Sequence, residues 1–353
     1  MEYQYIKHVL FFKVPGGTSR GVLSSKDSWF VIASQDKKIK GIGECSLIKG
    51  LSPDKPEEVE EVIQRKIKQI YLSRDNSAMV RPFPSFPAVN FCFEMISKGP
   101  LYDDPYLIED SPFARGEEGI EINGLVWMGS KEYMSSQIKE KIEKGYRCIK
   151  LKIGAIDFDE ECSLLASIRK NYTRKDIDLR VDANGAFARE EALEKLKVLS
   201  RYDLHSIEQP ILPGQWDIMA HLCEHSPIKI ALDEELIGLE QDPLRTKMLD
   251  TIRPHYLVLK PSLLGGLEIS DHWIKLAVER GVGWWATSAL ESNIGLNAIA
   301  KWVAAKKIEI PQGLGTGRLF SNNIPSPLFI DNGRLHYNSG ASWSIPWIEA
   351  GNL

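Results

Sequence analysis

The sequence predicts an α/β protein in which a β/α barrel follows a small α+β domain. Three observations carry that prediction: an alternating, β-like pattern with two helical runs in the first hundred or so residues, a change of texture after residues 103–118, and beyond it short β-branched or aliphatic runs that each precede a longer amphipathic stretch. Strand and helix recur about every 25 to 30 residues, the period a β/α barrel requires. The length of 353 residues fits two domains, or one barrel of roughly 250 residues with additions.

In chain order, Tyr5 to Val14 and Ser28 to Ala33 alternate as strands around the Gly/Ser-rich stretch Gly16 to Ser25, which predicts a hairpin with a long loop. Pro53 to Leu72, with its Pro-Glu-Glu-Val-Glu-Glu-Val-Ile repeat of charge and apolar residues, is helical, and Phe86 to Ser97 is a second helix. The barrel strands are Ile120 to Trp127, Cys148 to Ile153, Leu179 to Val181, Ser206 to Glu208, Ile228 to Leu232, Tyr256 to Leu259 and Val282 to Thr287. Helical patterns fill the gaps, among them Lys131 to Lys144, Glu190 to Leu199 and Ile269 to Arg280. Past Gly317 a β-like tail, with Leu328 to Ile330 and Leu335 to Tyr337, is expected to return to the first domain.

Composition narrows the function classes. With 43% hydrophobic and 26% charged residues the chain is an ordinary globular protein, neither disordered nor fibrous. Its formal charge is -4 and its Lys and Arg are dispersed, so no basic stripe invites nucleic acid or an anionic membrane, which leaves a small molecule or a protein as partner. No apolar run approaches the roughly 18 residues that span a bilayer, and Met1 to Val14 lacks the pattern of a signal peptide. Cys45, Cys92, Cys148, Cys162 and Cys223 are odd in number and scattered, as expected of buried, reduced thiols in a cytoplasmic protein.

Three carboxylates stand at the carboxyl ends of consecutive strands: Asp182 in Leu-Arg-Val-Asp-Ala-Asn, Glu208 in Ser-Ile-Glu-Gln-Pro and Asp233 in Ile-Ala-Leu-Asp-Glu-Glu. One βα unit separates each from the next, so all three converge on the barrel mouth, where barrel active sites sit. Three acidic groups so close repel one another unless a cation joins them, and oxygen-only donors suit a hard ion such as Mg2+. Lys150 and Lys152 precede this arc by one unit and share one strand face, while Lys260 follows it by one unit. Such lysines suit proton abstraction beside a metal-held carboxylate, since nearby cations lower a lysine's proton affinity toward working pH. Singly, each acid reads as a helix cap or surface charge, and the two lysines as a solvated edge strand. The order Lys-x-Lys, Asp, Glu, Asp, Lys, at one per βα unit, outweighs those readings. Arg180 shares the inward face of Asp182, where its charge suits an anionic substrate.

That order resembles the muconate-lactonizing branch of the enolase superfamily. More narrowly, Ser19-Arg20-Gly21-Val22-Leu23, Lys26-Asp27-Ser28, the run Ile122 to Gly129, and Gly313-Leu314-Gly315-Thr316-Gly317 with Leu319-Phe320 resemble the o-succinylbenzoate synthase family. The resemblance implies a modified TIM barrel, (β/α)7β, over residues 116–317, and an α+β capping domain over residues 1–115 to which the tail 318–353 returns. It implies a capping loop, Gly16 to Ser25, closing over a small-molecule carboxylate, with Ser19 and Arg20 as substrate contacts, and Mg2+, replaceable by Mn2+, on Asp182, Glu208 and Asp233. The implied reaction is syn loss of water from 2-succinyl-6-hydroxy-2,4-cyclohexadiene-1-carboxylate to give o-succinylbenzoate, a step of menaquinone biosynthesis. Lys152 matches the base that then serves as acid, Lys260 the opposite lysine whose charge holds the anionic intermediate, and Lys150 their neighbour. Asn184 and Glu234 match positions beside the metal ligands, and Ser288, Ser292, Gly315 and Thr316 fall where a substrate carboxylate is held. The oligomeric state stays open.

Rival readings exist. His221-Leu-Cys-Glu224-His225 fits an H-x-x-E-H zinc pattern, but it falls on an outer helix that Pro227 ends. His205 and His255 precede strands, at the barrel's stability face. An N-acylamino acid racemase or dipeptide epimerase also uses two facing lysines; dipeptide epimerases usually carry Asp-x-Asp near the last strand, where this chain has Gly-Leu-Gly-Thr-Gly. An inactive binding protein on the same fold is disfavoured because no ligand or lysine is missing.

Overall fold

The computed structural model describes residues 1–18, 21–73 and 77–349. The elements in order are β1 (Glu2–Thr18), β2 (Gly21–Gln35), β3 (Lys38–Ser46), α1 (Val59–Leu72), α2 (Ser77–Val80), α3 (Pro87–Tyr102), β4 (Ile120–Glu121), β5 (Gly124–Val126), α4 (Lys131–Glu143), β6 (Cys148–Lys152), α5 (Phe158–Asn171), β7 (Asp178–Asp182), α6 (Ala192–Leu199), β8 (Ser206–Glu208), α7 (Trp216–His225), β9 (Ile230–Leu232), α8 (Asp242–Ile252), β10 (Tyr256–Leu259), α9 (Pro261–Leu264), α10 (Leu267–Val278), β11 (Gly283–Ala286), α11 (Asn293–Ala305), β12 (Leu328–Asp331), β13 (Arg334–Tyr337) and α12 (Pro346–Glu349).

β1, β2 and β3 form an antiparallel sheet, and one of its faces packs on α1 and α3 through Trp29, Val31, Cys45, Val62, Ile63, Val89, Phe93 and Ile96. The expected long loop of the hairpin is largely strand: Gly16, Gly17 and Thr18 pair with Leu23, Val22 and Gly21, after a break in register between Phe11 and Gly16. β3 is a strand that the sequence pattern left unnamed. Its glycines weaken a strand signal, yet they are what the packing needs. A Cβ on Gly41 would stand 2.6 Å from the Ile96 carbonyl of α3, and one on Gly43 would overlap the Cys92 carbonyl.

Seven parallel strands run in the order β5 to β11, each followed by helix. The ring closes through an eighth, two-residue segment, since Gln312 bridges to Ile122 and Gly313 to Thr287, both in parallel sense. Gly313 is glycine because a Cβ there would overlap the Thr287 side chain. The arrangement is (β/α)7β, as the resemblance implies. Ile120 to Trp127, read as one strand, divides: β4 pairs antiparallel with β13, and only β5 enters the barrel. The tail meets the amino-terminal sheet, with Ser321 N–H donating to Phe11 C=O at 2.9 Å and the Trp347 and Phe30 rings 4.5 Å apart. The five cysteines are free and buried. Among the described residues no helix is long and apolar enough to cross a membrane.

Candidate active site

In-register parallel pairing sets the site. Lys152 of β6 lies beside Asp182 of β7, which lies beside Glu208 of β8, so side chains of one face share one height above the barrel. Asp233 follows β9 and Lys260 follows β10, which extends the arc by two strands. Asp182, Glu208 and Asp233 are buried, and one oxygen from each lies within 4.8 Å of the other two. Glu208 Oε2 accepts from Lys150 Nζ at 2.7 Å, whereas its Oε1 is buried without a hydrogen-bond partner. A buried carboxylate oxygen left without a donor is costly unless a cation completes it. That oxygen and the three clustered carboxylates fit a hard divalent ion.

Lysines flank the arc from both ends. Lys150 Nζ also reaches Asp182 Oδ2 at 3.3 Å, and Lys152 Nζ donates to Asp182 Oδ2 at 3.1 Å and Asn184 Oδ1 at 2.6 Å. Lys260 Nζ bonds Asp233 Oδ2 across from them. Asn184, in the left-handed region at φ 45°, donates its amide to Glu234 Oε1 at 2.9 Å, which sets the two side chains together beside the acidic cluster. Burial pushes the Glu208 carboxyl up to about 7 against the pull of Lys150, and burial with the Glu234 charge pushes Asp233 up to about 6. Burial also opposes charge on Asp182, but Lys152, Lys150 and Lys260 together hold its carboxyl well below the usual range. Burial likewise works against the Lys150 ammonium, yet Glu208 and Asp182 outweigh it and hold that group well above its ordinary value. The site is thus a closely spaced, alternating set of charges, arranged to hold a cation and an anion side by side.

Above this floor lies a cavity of about 590 Å3. Val22, Leu23, Ile48, Leu51, Leu125 and Trp127 give it apolar walls, Lys150, Lys152, Asp182, Asn184 and Lys260 line its charged part, and Ser288, Gly313, Gly315 and Thr316 form a polar rim on the β11 side. Volume and lining suit a small, partly apolar carboxylate.

Two expected contacts lie elsewhere. Ser292 is fully buried as the cap of α11, its hydroxyl donating to Glu44 Oε2 at 2.6 Å and accepting from Ile294 N–H, and it does not reach the cavity. Arg180 is fully buried with its guanidinium 4.2 Å from the Trp285 ring and a bond to Pro311 C=O, and it too lies outside the lining. Both stand near residues that line the cavity, Ser288 and Asp182, but their own side chains turn to protein partners. Ser19 and Arg20 fall outside the described residues. His221, Glu224 and His225 are exposed on α7, the helix between β8 and β9, and none of them joins the acidic cluster; His225 Nδ1 pairs with the His221 carbonyl. Lys26, which the sequence offered only within the Lys26-Asp27-Ser28 resemblance and without a role, and Glu44, which it did not single out, are both buried in the structure.

Residues 133–346 match the family model described as enolase C-terminal domain-like. The o-succinylbenzoate synthase of Desulfotalea psychrophila is 47% identical over 364 aligned residues, covering 95% of this chain and 98% of that protein. The crystal structure of MenC from the same organism superposes with a TM-score of 0.81 at 43% identity, over 95% of this chain and 99% of that one. The o-succinylbenzoate synthase of Thermosynechococcus elongatus, solved with Mg in its active site, shares the fold at a TM-score of 0.72 and 22% identity, over 91% and 95% of the two chains. A closed barrel bearing three acids and flanking lysines at its mouth defines an enolase-superfamily enzyme, and this chain belongs to that family. Within it, the chain falls among the o-succinylbenzoate synthases, carbon-oxygen lyases that release water.

Proposed function

We propose that the protein removes water from 2-succinyl-6-hydroxy-2,4-cyclohexadiene-1-carboxylate to give o-succinylbenzoate, in menaquinone biosynthesis, with Asp182, Glu208 and Asp233 holding Mg2+. The observation that carries this reading is the placement of Lys152 and Lys260 at opposite ends of a buried triple carboxylate, under a cavity with apolar walls. Mg2+ bound there would neutralise the substrate carboxylate and stabilise the enediolate that forms from it. Lys152, as the free amine, takes the proton beside that carboxylate, and the resulting ammonium returns it to the departing hydroxyl on the same face, so water leaves and the amine is restored. Asn184 orients Lys152 through its 2.6 Å bond, and Lys260 places a positive charge against the ring from the other side. Lys150 supports Glu208 and Asp182. Ser288, Gly315 and Thr316 contact the second carboxylate from the rim.

Chelator-treated protein should be inactive, recover with added Mg2+, and then convert the cyclohexadiene acid with a higher kcat/KM than any N-succinylamino acid or dipeptide. A dipeptide ranked first would reject this substrate, and full turnover without a divalent ion would reject the metal assignment.

A further inference from the structure

Lys26 belongs to a sequence motif that the mechanism leaves unused, and its side chain is 6% exposed in the interior. From β2, its Nζ donates to the carbonyls of Ala289 and Leu290, at 2.6 and 2.8 Å. Those two residues and Ser288 line the cavity on the β11 side. Leu290 has φ 63°, a left-handed conformation that a leucine keeps only when its surroundings hold it there. Its side chain joins Leu10, Phe12, Trp127 and Phe320 in an apolar cluster where the first hairpin meets the barrel. One ammonium drawing two successive carbonyls together is a direct cause for that backbone path. Glu291, next in the chain, is held separately, accepting from Ser262 and Ser288 at 2.5 Å each.

We infer that Lys26 is a positioning residue for this reaction: by clamping the Ala289 and Leu290 carbonyls from the amino-terminal sheet, it fixes the wall against which the substrate binds. Burial lowers the Lys26 ammonium to about 8 while Glu291 and Glu44 sustain its charge, so the clamp is largely protonated at neutral pH. The clamped wall belongs to β11 and its loop, whereas Lys152 stands on β6. Loosening it therefore weakens binding in ground and transition states together, which raises KM and spares kcat.

The inference rests on the dehydration reading, and its test separates the two. Lys26→Met keeps length and volume but removes the donors. Its KM for the cyclohexadiene acid should rise at least tenfold, with kcat within about threefold of wild type. Glycine adopts positive φ freely, so in a Leu290→Gly background the same Lys26→Met change should raise KM by a much smaller factor. If Lys26→Met yields no folded protein, Lys26→Gln, which offers two N–H groups on a shorter arm, should show the same split at smaller size. A KM within twofold of wild type in the folded variant, whatever its Tm, or an equal KM penalty in both backgrounds, overturns the inference alone. Wild-type protein that leaves the acid unchanged overturns the dehydration reading and this inference together.

Discussion

Lys152 shares its proton donors between Asp182 and Asn184, whereas Lys260 is bound to Asp233 alone among the carboxylates. Dehydration that ends in an aromatic ring needs a base and an acid on one face and only charge on the other. Lys152→Ala should therefore lose turnover by on the order of 10^3-fold or more, because base and acid vanish together. Lys260→Arg keeps the charge and should retain measurable dehydration. Single-turnover rates decide the matter: near-wild-type dehydration by Lys152→Ala with a dead Lys260→Arg would reverse the two roles. These lysines and the three acids were legible because strand alternation and barrel period can be counted along the chain. Lys26 and Glu44 were not, since their partners lie 263 and 248 residues away and no local pattern reports such a contact. Ser292 was misread for a related reason: a serine at a strand end looks alike whether it faces a cavity or caps a helix.

β6 to β11 could be placed from short aliphatic runs because each is bounded by helix or turn residues, and every one lies within about two residues of its expected position. β3 escaped because Gly41 and Gly43 read as loop, although they serve the contact with α3. The eighth barrel segment escaped because two residues, Gln312 and Gly313, carry no periodicity. The β3 contact makes a sharp prediction at this scale. Gly43→Ala puts a methyl group into the Cys92 carbonyl, and since backbone rather than a flexible side chain must yield, α3 has to shift. Overpacking of this kind costs roughly 1–3 kcal/mol. Thermal unfolding should show a Tm several degrees lower, and a Tm within about one degree of wild type would mean that the sheet and helix are not packed as closely as described.

The molecule as a whole depends on a polar joint between the amino-terminal sheet and the barrel. Glu44 of β3 is fully buried at that joint, and its carboxylate accepts from Ser28 Oγ at 3.0 Å, from Ser292 N–H at 2.9 Å, from Ser292 Oγ at 2.6 Å and from Gly295 N–H at 2.9 Å. Two of those donors are backbone amides at the start of α11, from its cap Ser292 and from Gly295 in its first turn, where the helix end favours a negative charge. Glu94 of α3 makes a parallel joint, accepting from Leu267 and Glu268 N–H at the start of α10. Two carboxylates from the first hundred residues thus cap two barrel helices, which ties the fold of one part to the other. Glu44→Ala would strand three donors in the interior, since the Ser28 hydroxyl keeps Ser46 Oγ as a partner at 2.9 Å, and each orphaned buried donor costs about 1–3 kcal/mol, offset where water enters the space left behind. Calorimetry should then show a Tm lower by on the order of 5–10 °C, with the endotherm broadened or divided relative to that of the wild type as the two parts lose their coupling. Glu44→Gln keeps one oxygen acceptor and the same shape, so it should fall between the two. The contrast matters because an apolar joint would respond to neither change. A single, unshifted endotherm in Glu44→Ala would place the coupling in the apolar cluster of Leu10, Phe12, Trp127, Leu290 and Phe320 instead.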